Sequence, residues 1–455
     1  MVIASQVLAV IIFLGMFAFI IADKIERHVV TLVSGLLMLV IVMGICLRDP
    51  SKIIDTLNLH SLITPTFWVG ASEESFGINW ATIIFIAGMT IMVEGMGYAG
   101  FFRWLCLRLA KLVKYKTVPL FLCFIVISAI LSMFIDSITV IMFLAAVTIE
   151  LAKVLKFDPI PMVLAEIFCA NLGGSATMCG DPPNIIIGTA LHYTFFDFLT
   201  NTGLIVLVCL LFIVPYYYLI TRKALKKSEE NRPKDIVYPD PKGAITNKKA
   251  FIMSAITFLI VVVLLVTHGA TELSVATIGV IASVLTILSI LISSGLGAVK
   301  KVMKKVDYKT LLFFTGLFVV VCGLEVTGIL EIIAGGIDKL SGGNSVVMIV
   351  IILWISAIAS AFIDNIPFAA TMVPVIQSMA AATGVPLATL AWTLALGTDI
   401  GGNATPIGAS ANVVGTSIAT KNGYPITWGR YCKYNAPATI IALVVSMVML
   451  YIRYI

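Results

Sequence analysis

Seven carboxylates lie inside apolar stretches of this 455-residue chain: Glu94, Asp136, Glu166, Asp181, Glu325, Asp364 and Asp399. The stretches that hold them contain no Lys or Arg. A carboxylate withdrawn from water without a basic partner must bind a cation, hold a proton or face a water-filled space. Na+ or H+ chemistry is the first expectation. Two Gly-Gly pairs stand nearby, Gly173-Gly174 and Gly401-Gly402, followed by Asp181-Pro182-Pro183 and by Pro406. Such runs interrupt a helix inside a span. In lipid, freed backbone groups survive only where they are buried or line a polar cavity, and there carbonyl oxygens and helix ends can hold an ion.

Each feature also has a structural reading. Asp136 and Asp364 suit a helix N-cap, and capping can coexist with ion binding. The Gly-Gly pairs suit close helix packing. Glu94 and Glu325 suit helix ends or headgroup positions, while Glu166 fits either a hydrogen-bonded structural acid or a proton carrier. The eight cysteines form no C-x-x-C pair and read as small apolar residues, and the four histidines are scattered, so no zinc site is visible. No Ser/His/Asp or metal constellation has sensible spacing, and Gly401-Gly402 lacks the strand and lysine of a phosphate loop. An enzyme and a resident cofactor are therefore not expected, beyond Na+ or H+ as coupling ion.

The elements that must position these residues are membrane helices. The chain is 60% hydrophobic and 12% charged, and apolar runs of about 18 or more residues recur from end to end, each long enough to cross a bilayer. That composition excludes a soluble enzyme. The net charge of +6 comes from bases lying between apolar runs, not in a nucleic-acid-binding stripe. Of the 30 Lys and Arg, 26 fall in loops on one side and four, Arg48, Lys52, Lys339 and Arg453, on the other. The positive-inside rule makes the first side cytoplasmic and places both termini outside. Val2 to Ala22 lacks a basic n-region and a cleavage site, and reads as a retained helix. Residues 222–249, mixed in charge with three prolines, read as a cytoplasmic linker, and 49–78 as a shorter outside loop.

The chain matches itself at an offset of 228 residues. Ser132-Met133-Phe134-Ile135-Asp136-Ser137 falls on Ser360-Ala361-Phe362-Ile363-Asp364-Asn365, and Asn171-Leu172-Gly173-Gly174-Ser175-Ala176-Thr177 on Asp399-Ile400-Gly401-Gly402-Asn403-Ala404-Thr405. Asn184 falls on Asn412, and Gly88, Gly95 and Gly100 on Gly316, Gly323 and Gly328. An odd number of crossings per half makes the second copy inverted, the architecture of secondary transporters. The expected organisation is a first repeat 1–221 with a re-entrant hairpin at 117–152 and a broken helix at 158–191, then the linker. A second repeat 250–455 follows, with a hairpin at 346–387 and a broken helix at 388–417. Each repeat has five crossings, and residues 99–116 and 329–345 are interfacial arms. The copies differ in chemistry: Glu94 meets Cys322, Glu166 meets Leu394, Asn171 meets Asp399 and Asp181 meets Ala409.

The run from Ser132 to Gly188 resembles the ArsB/NhaD group of the ion transporter superfamily, most closely its P-protein-like branch with a citrate transporter-like domain. The motifs that carry the resemblance are Asn171-Leu172-Gly173-Gly174-Ser175-Ala176-Thr177 and Gly180-Asp181-Pro182-Pro183-Asn184. The resemblance implies an all-α polytopic protein of elevator type, often a homodimer, in a prokaryotic plasma membrane. It implies an ion or substrate site formed by Ser132, Asp136, Ser137, Asn171, Gly173, Gly174, Asp181 and Asn184 with Ser360, Asp364, Asn365, Asp399, Gly401, Gly402, Asn403 and Asn412. Asp136 and Asp364 are the candidate Na+ ligands. Ser137 stands where that branch usually has Asn. The expected function is cation- and proton-coupled movement of a small inorganic ion. Arsenite or antimonite efflux and sodium-coupled citrate or dicarboxylate symport are the alternatives within transport, and a passive channel the alternative outside it. The divalent-anion/sodium symporters carry Ser-Asn-Thr at their hairpin tips, which this chain lacks.

Overall fold

A computed structural model describes residues 2–22, 24–70, 76–230 and 237–455. Residues 231–236 of the expected linker and 71–75 of the expected outside loop lie outside the described residues. The architecture is all-α and polytopic. Among the described residues, eleven helices are long and apolar enough to cross a membrane, and extended pairing is limited to a bridge between Val69 and Leu273.

Helices recur at the 228-residue offset. Trp80–Ala99 corresponds to Tyr308–Val326, Thr117–Ser132 and Ser137–Leu155 to Ser345–Phe362 and Asn365–Thr383, and Ile160–Gly174 and Pro182–Leu191 to Leu387–Gly401 and Ser410–Lys421. The amphipathic arms are the helices Phe101–Leu112 and Ile329–Ser341. Gly100 and Gly328 start these arms in the left-handed region, at φ 84° and 75°, where a side chain is disfavoured. Two sequence expectations need amendment. The helix Leu204–Glu230 runs on into the segment read as linker, and the segment read as an outside loop carries the short helices Pro50–Leu57 and Pro65–Trp68.

The halves interlock. Trp80–Ala99 packs on Val275–Ser294, and Tyr308–Val326 packs on Arg27–Leu37, so each half's third span lies on the other half's second. The crossings are closed by glycine: a Cβ on Gly88 would lie 2.0 Å from Gly279 O, and one on Gly316 would lie 2.4 Å from Thr31 C. Small residues at such crossings let backbones touch, which supplies dispersion contact where lipid offers no hydrophobic drive. The same exchange occurs deeper in the protein. Thr117–Ser132 packs on Ile160–Gly174 and Ser345–Phe362 on Leu387–Gly401, within each half. Ser137–Leu155 packs on Ser410–Lys421 and Asn365–Thr383 on Pro182–Leu191, across halves. The two hairpin tips and the two helix breaks are thereby drawn to one place.

Candidate functional site

Each hairpin turns on an aspartate whose backbone is extended and whose carboxylate caps the second arm. Asp136 accepts from Thr139 N at 3.0 Å and from Thr139 Oγ1 at 2.7 Å. Asp364 accepts from Ile366 N at 3.3 Å. The capping role therefore holds at both tips. Asp364 has two further partners that the sequence did not suggest: Arg27 Nη1 donates at 2.6 Å and Ser410 Oγ at 2.9 Å. Arg27 begins the second span and was counted among the loop bases. The expectation that every interior acid lacks a basic partner is corrected here, because bases at helix ends reach inward. Lys305 likewise comes within 4.0 Å of Glu94.

The first residue of each second arm points to the same break, the one that carries Asp181. Ser137 Oγ donates to Asp181 Oδ1 at 3.0 Å, and Asn365 Nδ2 donates to Asp181 Oδ2 at 2.9 Å. Ser137 and Asn365 are counterparts at the 228-residue offset, so one buried carboxylate is gripped symmetrically by both hairpins. Asp181 has Ala409 as its own counterpart, and the grip exists once.

The breaks are splinted by asparagine. Asn184 Nδ2 donates to Gly174 O and Thr177 O, both at 3.1 Å, and Asn412 Nδ2 donates to Gly402 O and Thr405 O, both at 2.8 Å. Carbonyls expected to offer themselves to an ion thus already hold one amide hydrogen each. Thr177 and Thr405 donate to Met133 O and Ala361 O, tying each break to its own hairpin tip. Their sequence signal was the Ala-Thr repeated in register.

The glycines serve packing as well as the break. A Cβ on Gly173 would lie 2.2 Å from Ala129 O, and one on Gly401 would lie 2.2 Å from Ala357 Cα. Both helices nevertheless stop there, Ile160–Gly174 before the turn at Ser175 and Leu387–Gly401 before a short 3-10 turn. A Cβ on Gly174 would lie 3.1 Å from Gly180 O, and one on Gly402 would lie 3.0 Å from Gly408 O.

Across the centre, Asn171 Nδ2 donates to Asn403 Oδ1 at 2.9 Å and to Asn412 Oδ1 at 2.8 Å. Asn171, Asn184, Asp399, Asn403 and Asn412 are each fully buried. Asn184 and Asn365 are polar neighbours of Asp399, yet both of its carboxylate oxygens are without a hydrogen-bond partner. Of the paired serines that end each hairpin's first arm, Ser360 Oγ donates to Thr398 O at 2.6 Å, whereas Ser132 Oγ is buried and unpartnered. The structure thus draws Ser137, Asp181, Asn365 and Asp364 into one chain of contacts and Asn171, Asn184, Asp399, Asn403 and Asn412 into an adjoining one. Asp136 bonds to Thr139 within its own hairpin. No cluster of three or more His, Cys, Asp or Glu suited to a metal ion occurs among the described residues.

The other interior acids lie apart from this centre. Glu166 is fully buried on Ile160–Gly174 and takes a hydrogen bond from Thr148 Oγ1, with its second oxygen unpartnered. Glu325 lines a cleft with Glu331 and Gln377.

Comparisons with known proteins agree with an all-helical membrane chain. A family model described as citrate transporter (CitMHS) matches residues 17–397. The chain belongs to the CitMHS citrate transporter family. This CitMHS member is 31% identical over 455 residues to an uncharacterized transporter of Mycobacterium tuberculosis, covering 99% of both chains. It is 27% identical over 451 residues to the P protein of Homo sapiens, covering 83% of this chain and 54% of that one. In fold it is similar to the crystal structure of the Alcanivorax borkumensis YdaH transporter, with a TM-score of 0.58 at 15% identity over 98% of each chain. The Neisseria gonorrhoeae MtrF structure gives a TM-score of 0.58 at 14% identity over 97% of each. The protein is a membrane transporter of this family.

Proposed function

We propose that this CitMHS member is a secondary transporter that couples Na+ and H+ to the movement of a small inorganic ion. The observation that carries the reading is the grip on Asp181: both hairpin tips donate to one buried carboxylate. Occupancy of that centre by a cation would therefore be felt by both hairpins at once, which is what coupling requires. Asp136 and Asp364 are the proposed Na+ ligands, each held by its cap beside this centre. In the same reading the two halves are inverted repeats, the hairpins re-enter the membrane, and the hairpins with the broken helices move as an elevator against the remaining spans. Homodimer assembly, outside termini, a cytoplasmic 222–249 linker and placement in the ArsB/NhaD group belong to this proposal.

The test is cation-driven proton flux in proteoliposomes with Asp136→Asn and Asp364→Asn. Asn is as good an N-cap as Asp, so both variants keep the hairpin while losing its charge. Flux should fall at least about tenfold in each, equivalent to about 1.4 kcal/mol of transition free energy. Full flux in both variants would remove Asp136 and Asp364 from the site.

A second reading is sodium-coupled uptake of citrate or another carboxylate. The family's description favours it, and Arg27 supplies a cationic group beside the Asp364 tip. Sodium-dependent accumulation of labelled citrate in the same vesicles distinguishes it from inorganic-ion exchange.

A further inference from the structure

We infer that His268 is a pH-operated latch: its neutral ring holds the Phe195 amide, and with it the tip of the first hairpin, and the protonated ring lets go. The inference concerns regulation of the transporter and goes beyond the coupling reading. The latch sits where the first broken helix meets the next span. Pro182–Leu191 ends at His192, in the left-handed region at φ 58°, and helical structure resumes at Phe195 and runs to Glu230. Thr194 caps the new start in a closed box. Its Oγ1 accepts from Asp197 N at 3.2 Å, and Asp197 Oδ2 accepts from Thr194 N and Thr194 Oγ1, both at 2.7 Å. The box does not reach the Phe195 N–H, one of the four that a helix start leaves without an intrahelical partner. That N–H donates to His268 Nε2 at 2.9 Å. His268 stands in the last turn of Lys248–Thr271, the first span of the other half. Beside it, Gly269 lets the two segments touch, since a Cβ there would lie 3.0 Å from Thr194 Cγ2.

A ring nitrogen that accepts an N–H carries no proton of its own. Neutral histidine has one such nitrogen and the imidazolium has none, so protonation sets N–H against N–H and ends the bond. Water reaches the ring: a cavity of 310 Å³ lined by His192, Thr194, His268 and Glu272 lies beside it, and His192 and Glu272 are exposed. This is the side that the charge pattern makes external. Among the described residues, the titratable groups facing His268 are Asp197 and Tyr193 on the capped turn, His192 at the end of the broken helix, and Glu272 just past the ring on its own helix. Val275–Ser294 and Pro65–Trp68 carry none. Trp80–Ala99 and Phe101–Leu112 carry theirs toward the other end of Lys248–Thr271, where Thr246 bonds to Tyr98 O and Phe101 meets Phe251. Asp197 therefore gives the released imidazolium an anion to turn to, at the expense of the Thr194 box.

Phe195 carries the event to the hairpin. Its ring is buried and stacks on Phe134, with centroids 6.0 Å apart and planes 21° from parallel. Phe134 lies two residues before Asp136, in the first tip. The second copy has no such seat: Gly423 stands at the counterpart of Phe195, and Phe362, the counterpart of Phe134, is 56% exposed. The latch thus bears on one hairpin and leaves the other alone.

The experiment is hydrogen–deuterium exchange of the full-length protein in liposomes at about pH 8 and about pH 5, on either side of the ordinary histidine value of about 6.5. Rates are corrected for the intrinsic effect of pH. In wild type the Phe195 amide should lose roughly tenfold of its protection at the lower pH. The tip amides of Phe134 and Ile135, bonded to Leu131 O, should lose protection with it. His268→Gln keeps an acceptor oxygen at every pH and should hold both places protected throughout, while His192→Gln should respond as wild type does. Unchanged protection in wild type, the same loss in His268→Gln, or loss of the response in His192→Gln overturns the latch. A response at Phe195 without one at the tip overturns the link to the hairpin. Wild type and His192→Gln decide the matter even where His268→Gln fails to fold. Exchange requires no transported ion, so failure of the coupling reading leaves this result standing.

Discussion

Asn184 and Asn412 illustrate what one side chain contributes at a broken helix. Each closes two carbonyls that the break leaves open, so Asn412→Ala strands Gly402 O and Thr405 O in a buried place. The expected loss is about 2–4 kcal/mol for two unsatisfied groups, read as a lowered melting temperature in detergent. An Asn412→Ala protein that melts like wild type would show that water replaces the amide. Glycines offer a sharper contrast. Gly401→Ala drives a Cβ to 2.2 Å from Ala357 Cα, whereas a Cβ on Gly335 meets nothing within 4 Å. The first substitution should destabilise by about 1–3 kcal/mol or more through overpacking. The second should stabilise by a few tenths to about 1 kcal/mol, since alanine is the better helix former. The sequence showed both as Gly in helical runs and could not separate them, because the difference lies in a neighbour 44 residues away.

At the scale of elements, the tie between the second span and the second hairpin is Arg27 to Asp364. Arg27 is partly exposed, with 36% of its side chain accessible, while Asp364 is almost fully buried. A double-mutant cycle with Arg27→Ala and Asp364→Asn should give a coupling energy of about 1–2 kcal/mol, between the values of exposed and buried pairs. Coupling near zero would mean that Ser410 and the Ile366 amide alone hold the tip. Just beyond the membrane, Lys309 donates to Glu26 at 2.7 Å, which holds the Glu26 carboxyl below its ordinary value of 4.5. The sign follows: the contact is fully present above about 4.5 and fades as pH falls through the lowered value. Lys309→Ala should return the Glu26 titration toward 4.5, measured by carbon-13 NMR of labelled glutamate. The two hairpins were legible from the repeated Asp-Ser and Asp-Asn turns. Their exchange of partners across the halves was not, since helix-helix contacts between distant segments leave no period in the chain.

For the whole molecule, the charge pattern makes a prediction that requires no knowledge of substrate. With the partly exposed Cys46, Cys123 and Cys432 replaced by alanine, a cysteine placed at Lys242 should react with an impermeant thiol reagent only from the cytoplasmic side. One at Gly343 should react only from outside. Labelling of both from one side would defeat the positive-inside assignment. The apolar residues left on the protein's exterior, such as Ile3, Leu211, Ile292 and Ile452, are at least 59% exposed, as a surface solvated by lipid tails allows.

By itself the sequence determined the polytopic all-helical class, the 228-residue recurrence and the residues at the tips and breaks. Those follow from local physics: hydropathy, helix breakers and charge placement are properties of short windows. Only the tertiary structure decided which residues meet. It put Ser137 and Asn365 on one carboxylate, brought Arg27 to Asp364, and set Asn171 against Asn403 and Asn412. Such pairings depend on how interlocked helices align side chains far apart in the chain, and no window of sequence encodes that distance.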